Sequence, residues 1–371
     1  MTFLDCRRLW RALFKSLLVA AVWGCTLQAN AGPQRVWGYV AWWMQDAWKA
    51  LPLANFERLI FFQIEVGRNG ALDELHGWPA QWTGLSKAAA DHGVALDLGL
   101  TLLEPATFNA VFDSNAATQR LLSDALALAS QPGVSGLHLD VEVNLRTGAL
   151  RAEAVKRFRG FVGTLSQKLK QQSPPRSLSV FLPFGDYGGI YDAATLARVD
   201  QAVLQGYDAH FLDSPNAGPV SPLAGEDFAT WEKMLAQASK FGLARGRMVM
   251  SFPLYGYEWN VPSCTPRGKH EGRGETTTLL PVDPQLVPTL NISITDRVAR
   301  YGAQVEPLSQ SLYYTLVSPA GTCTVGWFED SYSLKLKADW LEKQNLRGLA
   351  FFPLGYDQGV LVNIMLQRWK P

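Results

Sequence analysis

Short runs of aliphatic residues alternate along the chain with longer segments that repeat apolar residues every three or four positions. The short runs are typical of buried strands, and the longer segments have the period of amphipathic helices. Eight strand–helix units predict an α/β fold, a closed parallel (β/α)8 TIM barrel. A doubly wound open sheet is the structural alternative, but no glycine-rich phosphate fingerprint supports it. The predicted strands are Arg35–Ala41, Arg58–Val66, Val94–Leu102, Val134–Val143, Ser177–Pro183, Ala202–Tyr207, Arg247–Tyr255 and Gly348–Leu354. The predicted helices are Trp82–His92, Ala116–Ser130, Ala152–Gln172, Phe228–Phe241, Ser333–Gln344 and Val360–Trp369.

The interval after the seventh predicted strand is much longer than the others. Within it, residues 260–327 contain two further strand candidates, Gln285–Ser293 and Leu312–Leu316, with several prolines and glycines. We therefore predict a small α+β insertion between strand 7 and helix 7, inside one catalytic domain over residues 32–371. Loops at this end of barrel strands build active sites, so the insertion is expected to form one wall of a cleft.

The N-terminus has the features of an export signal. Basic residues precede the apolar run Ser16–Trp23, and Ala29-Asn30-Ala31 supplies small residues before a cleavage point. We predict a signal peptide over residues 1–31 and export to the periplasm, outer envelope or extracellular space. Lipidation of Cys25 is the alternative, and we expect membrane association only through this segment or such a lipid. We expect a monomer.

Charge and cysteine content narrow the partners. A formal net charge of +1 argues against a nucleic-acid partner, which would need a basic face. The 13 Trp and 11 Tyr suit sugar stacking, although a large core would use many of them. Beyond the predicted signal the chain keeps Cys264 and Cys323, and an even pair in an oxidising compartment predicts a disulfide. The five histidines show no ligand spacing, so we expect no metal ion, and no cofactor.

The most informative stretch, residues 135–142, reads Ser-Gly-Leu-His-Leu-Asp-Val-Glu. Side chains alternate along a strand, so His138, Asp140 and Glu142 share one face and the intervening apolar residues share the other. In a barrel the polar face points inward, where ionisable groups are costly unless they have a function. A buried, hydrogen-bonded polar cluster is the structural alternative. Residues i and i+2 lie roughly 7 Å apart at Cα. Asp140 and Glu142 can therefore approach closely, and one would keep a proton.

The same stretch resembles the signature of glycoside hydrolase family 18, the chitinase family, whose fourth strand reads Asp-Gly-x-Asp-x-Asp-x-Glu. The resemblance continues in order along nearly all of the chain after the predicted signal. The other matching segments are Gly38-Tyr39, Gly206-Tyr207-Asp208, Pro253-Leu254-Tyr255-Gly256, Trp327-Phe328-Glu329-Asp330 and Gly348–Asp357.

The resemblance implies substrate-assisted hydrolysis, with retention, of glycans that contain N-acetylglucosamine. Glu142 would protonate the leaving oxygen and later act as a base. The 2-acetamido oxygen of the substrate would attack the anomeric carbon, while Asp140 holds the acetamido nitrogen. Tyr207 would donate to the acetamido oxygen, and Asp208 would orient the acetamido group and Glu142. Tyr39 would line the floor of the pocket.

Four positions depart from the family pattern. Ser135 and His138 replace the first two aspartates of the signature, Gln205 replaces a methionine, and Phe352 replaces the tryptophan beneath the bound sugar. In the family the second aspartate shares a proton with the residue matching Asp140. We hypothesise that His138 replaces it as the partner of Asp140; a packed core histidine is the alternative. The departures suggest an altered preference among chitin oligosaccharides, peptidoglycan and exopolysaccharides.

Two other functions stay open at this point. A non-catalytic, lectin-like glycan-binding barrel would explain the lost aspartates, whereas the presence of Asp140 and Glu142 favours an enzyme. An unrelated envelope enzyme could use the two carboxylates differently. Further candidates at the rim of the cleft, each with loop packing or solvation as the alternative, are Trp42, Trp43, Trp48, Trp259, Glu65, Asp186 and His210.

Overall fold

The structure is a computed structural model that describes residues 33–143, 148–185 and 189–370. The predicted signal peptide, Cys25 and Asp186 lie outside the described residues. The described strands form two sheets. In chain order the strands are β1 (Arg35–Ala41), β2 (Arg58–Val66), β3 (Leu72–Glu74), β4 (Ala95–Leu102), β5 (Gly136–Val141), β6 (Ser177–Leu182), β7 (Gln201–Leu204), β8 (Met248–Pro253), β9 (Tyr255–Asn260), β10 (Glu271–Thr278), β11 (Ile292–Ser293), β12 (Gln304–Val305), β13 (Leu312–Val317), β14 (Cys323–Phe328) and β15 (Gly348–Phe352).

The first sheet closes on itself and confirms the predicted barrel. In the described chain its parallel strands run in the order β1, β2, β4, β5, β6, β7, β8 and β15, and β15 pairs again with β1. The short strand β3 pairs antiparallel with β2 outside this ring. The predicted barrel strands agree with the observed ones to within a few residues. The largest difference is at β7, which ends at Leu204 and leaves Tyr207 and Asp208 in the following loop.

The helices surround the barrel, and those predicted from the apolar period are present. Helices α2, α5 and α7 were not predicted; α5 is a single turn of four residues, too short for a clear period. No helix in the described ranges is long and apolar enough to cross a membrane. The helices are α1 (Thr83–Asp91), α2 (Pro105–Asp113), α3 (Asn115–Ala129), α4 (Ala152–Lys170), α5 (Ala193–Leu196), α6 (Trp231–Lys240), α7 (Ile294–Tyr301), α8 (Ser331–Lys343) and α9 (Val360–Arg368). Short 3-10 segments lie at Trp42–Ala50, Leu53–Asn55, Ala80–Trp82 and Arg245–Arg247.

Alternation along β5 divides its side chains between two cores. Leu137, Leu139 and Val141 belong to the large apolar layer between the barrel and its helices. The interior of the barrel holds a separate, smaller cluster that includes Trp37, Tyr39, Ile60, Phe181, Val203, Val249 and Ala350. The polar face of β5 points into this interior, as the period-2 pattern predicts.

In the sequence, the strands of the second sheet lie between barrel strand β8 and helix α8. Its strand order is β11-β10-β9-β14-β13-β12, and α7 connects β11 to β12. The sheet begins at Tyr255, before the predicted boundary at residue 260, because β9 already pairs with β10 and β14. The predicted strand Gln285–Ser293 is wrong except for its last two residues. Pro288 has no N–H to donate to a ladder, and the segment before it forms turns.

A disulfide between Cys264 and Cys323 confirms the predicted pairing. The two Cα atoms are 5.4 Å apart, within the usual range. The bond joins the loop after β9 to the first residue of β14, and it spans 59 positions of sequence. It therefore closes a long loop within the second sheet, where a cross-link restricts the unfolded chain strongly.

Replacing both cysteines with serine is expected to lower the free energy of unfolding by about 2–4 kcal/mol, because the unfolded chain regains the entropy of the open loop. Urea denaturation followed by fluorescence measures the change. Reduction of the parent protein with a phosphine should reproduce it. An unchanged unfolding midpoint in both experiments would contradict a stabilising role for this bond.

Candidate active site

Strand β5 places two polar side chains inside the barrel and a third at its rim. His138 and Asp140 are buried, whereas Glu142 lies one residue beyond the strand and is half-buried. The backbone N–H of Glu142 donates to the carbonyl of Leu102 at 3.1 Å. This bond extends the pairing of β5 with β4, so Glu142 keeps the inward direction of the face it shares with Asp140.

The Asp140 and Glu142 side chains form a hydrogen-bonded carboxyl pair. Burial raises the pKa of both groups. The negative charge of Asp140, its hydrogen bond and the charge of Asp208 raise the pKa of Glu142 further. Two carboxyls can share a hydrogen bond only if one is protonated, and Glu142 is the group more strongly favoured to hold the proton. Asp140 Oδ1 is buried and has no partner among the described residues, so it is a free acceptor facing the site.

Asp208 is held by the second sheet rather than by the barrel. It follows β7 with a φ of 59°, and its Oδ1 accepts hydrogen bonds from the hydroxyls of Tyr255 at 2.9 Å and Tyr257 at 3.1 Å. Burial raises the pKa of Asp208 to about 6, against the opposing effect of the two hydroxyl bonds. Both tyrosines lie on β9, where residues two apart share a face. Sequence reasoning missed the role of Tyr257, although this spacing could have indicated it.

Aromatic rings form the floor of the site. Phe352, at the end of β15, stacks on Tyr207 with ring centroids 5.7 Å apart and meets Tyr39 edge-on at 5.5 Å. Phe62 on β2 packs edge-on against both Tyr39 and Phe352. The structure thus brings Phe352, Tyr207 and Tyr39 together, as the resemblance implied. Phe62 completes the aromatic group and had no signal in the sequence beyond its place in a strand.

His138 does not partner Asp140, which corrects the sequence hypothesis. Its Nε2 lies 3.0 Å from the Tyr39 hydroxyl, and its Nδ1 lies 2.9 Å from Ser179 Oγ. The register sets the second contact, because Ser179 on β6 lies directly opposite His138. Burial, and to a lesser degree the positive charge of Arg58, lowers the pKa of His138 to about 3. The ring is therefore neutral, and both of its nitrogens are occupied.

Comparison with known proteins fits this geometry. The family model described as glycosyl hydrolases family 18 matches residues 35–357. The chain belongs to this family. The predicted resemblance is thereby confirmed, and membership of a glycosyl hydrolase family agrees with the prediction of a glycosidase.

The relatives of this family-18 chain are distant in sequence. A cortical fragment-lytic enzyme from Bacillus anthracis is 23% identical over 312 residues, which are 80% of this chain and 64% of the relative. The chain therefore spans just under two thirds of that curated relative. The spore cortex-lytic enzyme SleL of Bacillus megaterium superposes with a TM-score of 0.68 at 18% identity, covering 92% of this chain and 75% of that one. A Group IV chitinase from Ostrinia furnacalis superposes with a TM-score of 0.77 at 15% identity, covering 91% and 98%. At these identities the superpositions show the shared fold.

Two further departures of this family-18 chain are explained by local hydrogen bonds. Ser135 Oγ accepts from the backbone N–H of Leu96 at 3.1 Å. Gln205 Oε1 accepts from the backbone N–H of Phe184 at 2.8 Å. Both side chains thus support the barrel strands and their loops.

Trp42 and Trp43 lie at the rim of the barrel in a 3-10 segment. Trp42 is 37% exposed and stacks in parallel on the ring of His76, with centroids 4.2 Å apart. Both tryptophans line a cavity of about 610 Å³. Trp43 also donates to the Tyr356 hydroxyl at 3.1 Å and packs against Phe62. Through these contacts Trp43 joins the cavity to the aromatic floor of the site.

The other aromatic candidates are buried in packing contacts, and the polar ones make local hydrogen bonds. Trp48 and Trp259 are buried, at 7% and 1% exposure, and cannot act as sugar platforms. Glu65 is exposed and accepts from the side chain of Gln63 at 3.0 Å. His210 lies 3.0 Å from a carboxylate oxygen of Asp227 in a separate polar network.

Tyr191 is a residue near the carboxyl pair that sequence reasoning missed. It is buried, its hydroxyl has no partner among the described residues, and it precedes α5. Burial, and then the negative charges of Asp140 and Glu142, raises the pKa of this phenol. Tyr191 therefore stays neutral and adds an uncharged polar group beside the site.

Proposed function

We propose that this family-18 chain is a retaining, substrate-assisted hydrolase of glycans that contain N-acetylglucosamine. The observation that carries the proposal is the hydrogen-bonded pair of buried Asp140 and half-buried Glu142, in which Asp140 Oδ1 has no partner among the described residues. A protonated acid beside a carboxylate is what acid-assisted glycoside cleavage requires.

The reaction proceeds in two steps. Glu142 gives its proton to the glycosidic oxygen as the bond from that oxygen to the anomeric carbon breaks. The substrate's own acetamido oxygen forms the new bond to the anomeric carbon, which gives an oxazolinium ion. A water molecule then adds to the same carbon as the bond from that carbon to the acetamido oxygen breaks, and the water passes a proton back to Glu142. Asp140 Oδ1 accepts from the acetamido N–H throughout and stabilises the positive charge of the ion.

The remaining site residues hold the acetamido group in place. The Tyr207 hydroxyl donates to the acetamido oxygen and aligns it for attack. Asp208, fixed by two tyrosines of the second sheet, orients the group and raises the pKa of Glu142. The half-buried ring of Phe352 is the stacking surface for the sugar.

The names of the relatives refer to spore cortex, cortical fragments and chitin. We accordingly place chitin oligosaccharides, peptidoglycan and exopolysaccharide among the substrates to be tested. Export fits such substrates, with residues 1–31 as the signal peptide and a lipid on Cys25 as the alternative. The protein would act as a monomer.

The decisive experiment compares N-acetylated chitooligosaccharides and purified peptidoglycan with the same oligosaccharides after N-deacetylation. Because the acetamido oxygen is the nucleophile, we expect cleavage of N-acetylated chains and no detectable cleavage of deacetylated ones. Mass spectrometry identifies the products, and early proton NMR spectra should show the β-anomer.

Equal cleavage of both substrates, or formation of the α-anomer, would overturn the mechanism. Binding without cleavage would instead favour the lectin-like alternative, which the replacement of two signature aspartates supports.

A further inference from the structure

A chain of hydrogen-bonding groups crosses the barrel interior in the layer below Asp140. Tyr39 comes from β1, His138 from β5 and Ser179 from β6, and the three side chains are fully buried or nearly so. The contacts are 3.0 Å from the Tyr39 hydroxyl to Nε2 and 2.9 Å from Nδ1 to Ser179 Oγ. The imidazole therefore links the middle of the barrel to one side of the active-site floor.

Counting donors and acceptors limits what this imidazole can do. A neutral imidazole has one N–H donor and one acceptor nitrogen. In one tautomer Nε2–H donates to the Tyr39 oxygen and Nδ1 accepts from Ser179. In the other, the Tyr39 hydroxyl donates to Nε2 and Nδ1–H donates to Ser179. Either way the Tyr39 oxygen is fixed, and no ring nitrogen remains for Asp140.

The charge state of the ring follows from its surroundings. His138 has no exposed surface, and Arg58 on β2 is the cation whose charge reaches it. Both effects disfavour a second proton on the ring. His138 therefore stays neutral over the pH range in which a carboxyl pair could work, and it neither supplies nor accepts a proton there.

We propose that His138 is a positioning residue, which fixes the Tyr39 hydroxyl from below and leaves the catalytic proton to be shared by Asp140 and Glu142 alone. The proposal deepens the proposed hydrolase function and rests on it. Position 138, which is an aspartate in the family pattern, carries no acid here. The buried carboxyl of Asp97 lies one layer lower, opposite Gly136, and is paired with Arg58. The proton therefore stays within the Asp140–Glu142 pair. The Tyr39 hydroxyl, held in one place, forms the adjoining part of the floor.

Other titratable groups face the carboxyl pair and, together with burial, set its proton affinity. These groups are Tyr39 on β1, Asp208 and Tyr207 after β7, and Tyr191 after β6.

A double-mutant cycle tests the positioning role. We expect Tyr39→Phe and His138→Asn each to lower kcat by on the order of 10-fold, with KM nearly unchanged. The double variant should be no slower than Tyr39→Phe, because His138 acts through the hydroxyl that this change removes. Losses that multiply, or a loss confined to KM, would overturn the proposal.

The pH profile tests the confinement of the proton. His138→Asp places a third carboxyl beneath the pair, and its charge should raise the alkaline limb of kcat/KM by on the order of one pH unit. His138→Asn replaces a neutral group with a neutral group and should leave the limb in place. Equal shifts of the alkaline limb in both variants, or no shift in His138→Asp, would contradict the proposal that the proton stays within the Asp140–Glu142 pair.

A spectroscopic measurement tests the proposal without turnover. Selective 15N labelling of the five histidines, with His138 assigned through His138→Asn, should show a neutral ring of one tautomer between pH 5 and 8. Tyr39→Phe and Ser179→Ala should each shift its resonances. The proposal would be overturned if the His138 ring titrates in this range, or if its 15N resonances are unchanged by both substitutions. If the parent does not cleave glycans, the hydrolase function fails, whereas these spectra still decide the role of His138.

Discussion

Glu142→Gln is expected to lower kcat on an N-acetylated chitooligosaccharide by about 10²–10⁴-fold, the usual contribution of a general acid. The amide keeps the size of the side chain but cannot donate a proton to the glycosidic oxygen. The dissociation constant of the oligosaccharide should change little, because the floor of the site and Asp140 are intact. Initial rates and calorimetric binding, measured on the same preparation, separate the two effects.

The matched control for this experiment is Glu153→Gln. Glu153 lies in the first turn of α4 with a largely exposed side chain, so its replacement should leave kcat unchanged. Equal melting temperatures for the parent and both variants would show that the fold is intact. Activity of Glu142→Gln close to that of the parent would mean that another group supplies the proton.

Asp140→Asn is expected to lower kcat by about 10²-fold, comparable with the loss of one charge-stabilising group in other active sites. The amide removes the negative charge that stabilises the oxazolinium ion. The substitution should also move the alkaline limb of kcat/KM to lower pH. The sign follows because the Asp140 charge raises the pKa of Glu142, so removing it lets Glu142 lose its proton earlier as pH rises.

The pH profile distinguishes this effect from a loss of folded protein, because a loss of folded protein would lower the rate without shifting the alkaline limb of kcat/KM. Asp91→Asn, at the exposed C-terminal end of α1, is the control and should retain both the rate and the profile. A limb that stays in place or moves to higher pH would show that Asp140 and Glu142 do not share a proton. Rate–pH profiles in buffers of constant ionic strength are sufficient to decide.

The barrel was predictable because its strands are fully buried and so read as compact apolar runs between helical periods. β5 carried more information than the others, since its outward positions are all aliphatic and its inward positions are polar. The errors have physical causes as well. The strand predicted over residues 285–293 has the right composition, but Pro288 cannot pair in a ladder. Helix α2 is a two-turn segment that tertiary packing stabilises more than its own period does.

The contacts inside the site were less predictable than the positions of its residues. The spacing within β5 correctly placed Asp140 near Glu142, because neighbours on one face of a strand are fixed by the backbone. The partner of His138 is Tyr39, which lies 99 positions earlier in the chain. Such a contact depends on the stagger of the strands around the barrel and on which side chains are long enough to cross its interior. The hydrogen bonds from Tyr255 and Tyr257 to Asp208 likewise could not be predicted without the position of the second sheet.

The hydrogen bonds from Tyr255 and Tyr257 to Asp208 connect the second sheet to the barrel, and the stabilities of these two parts need not be equal. Local opening of the second sheet would withdraw β9 and free Asp208, while the parallel barrel beneath could stay folded. The Cys264–Cys323 bond joins the loop after β9 to β14, which pairs with β9. It therefore stabilises the position of Asp208 in the candidate site as well as the loop that it closes. Inactivation on heating or reduction would then be a local event, reversible on cooling or reoxidation before the barrel itself melts.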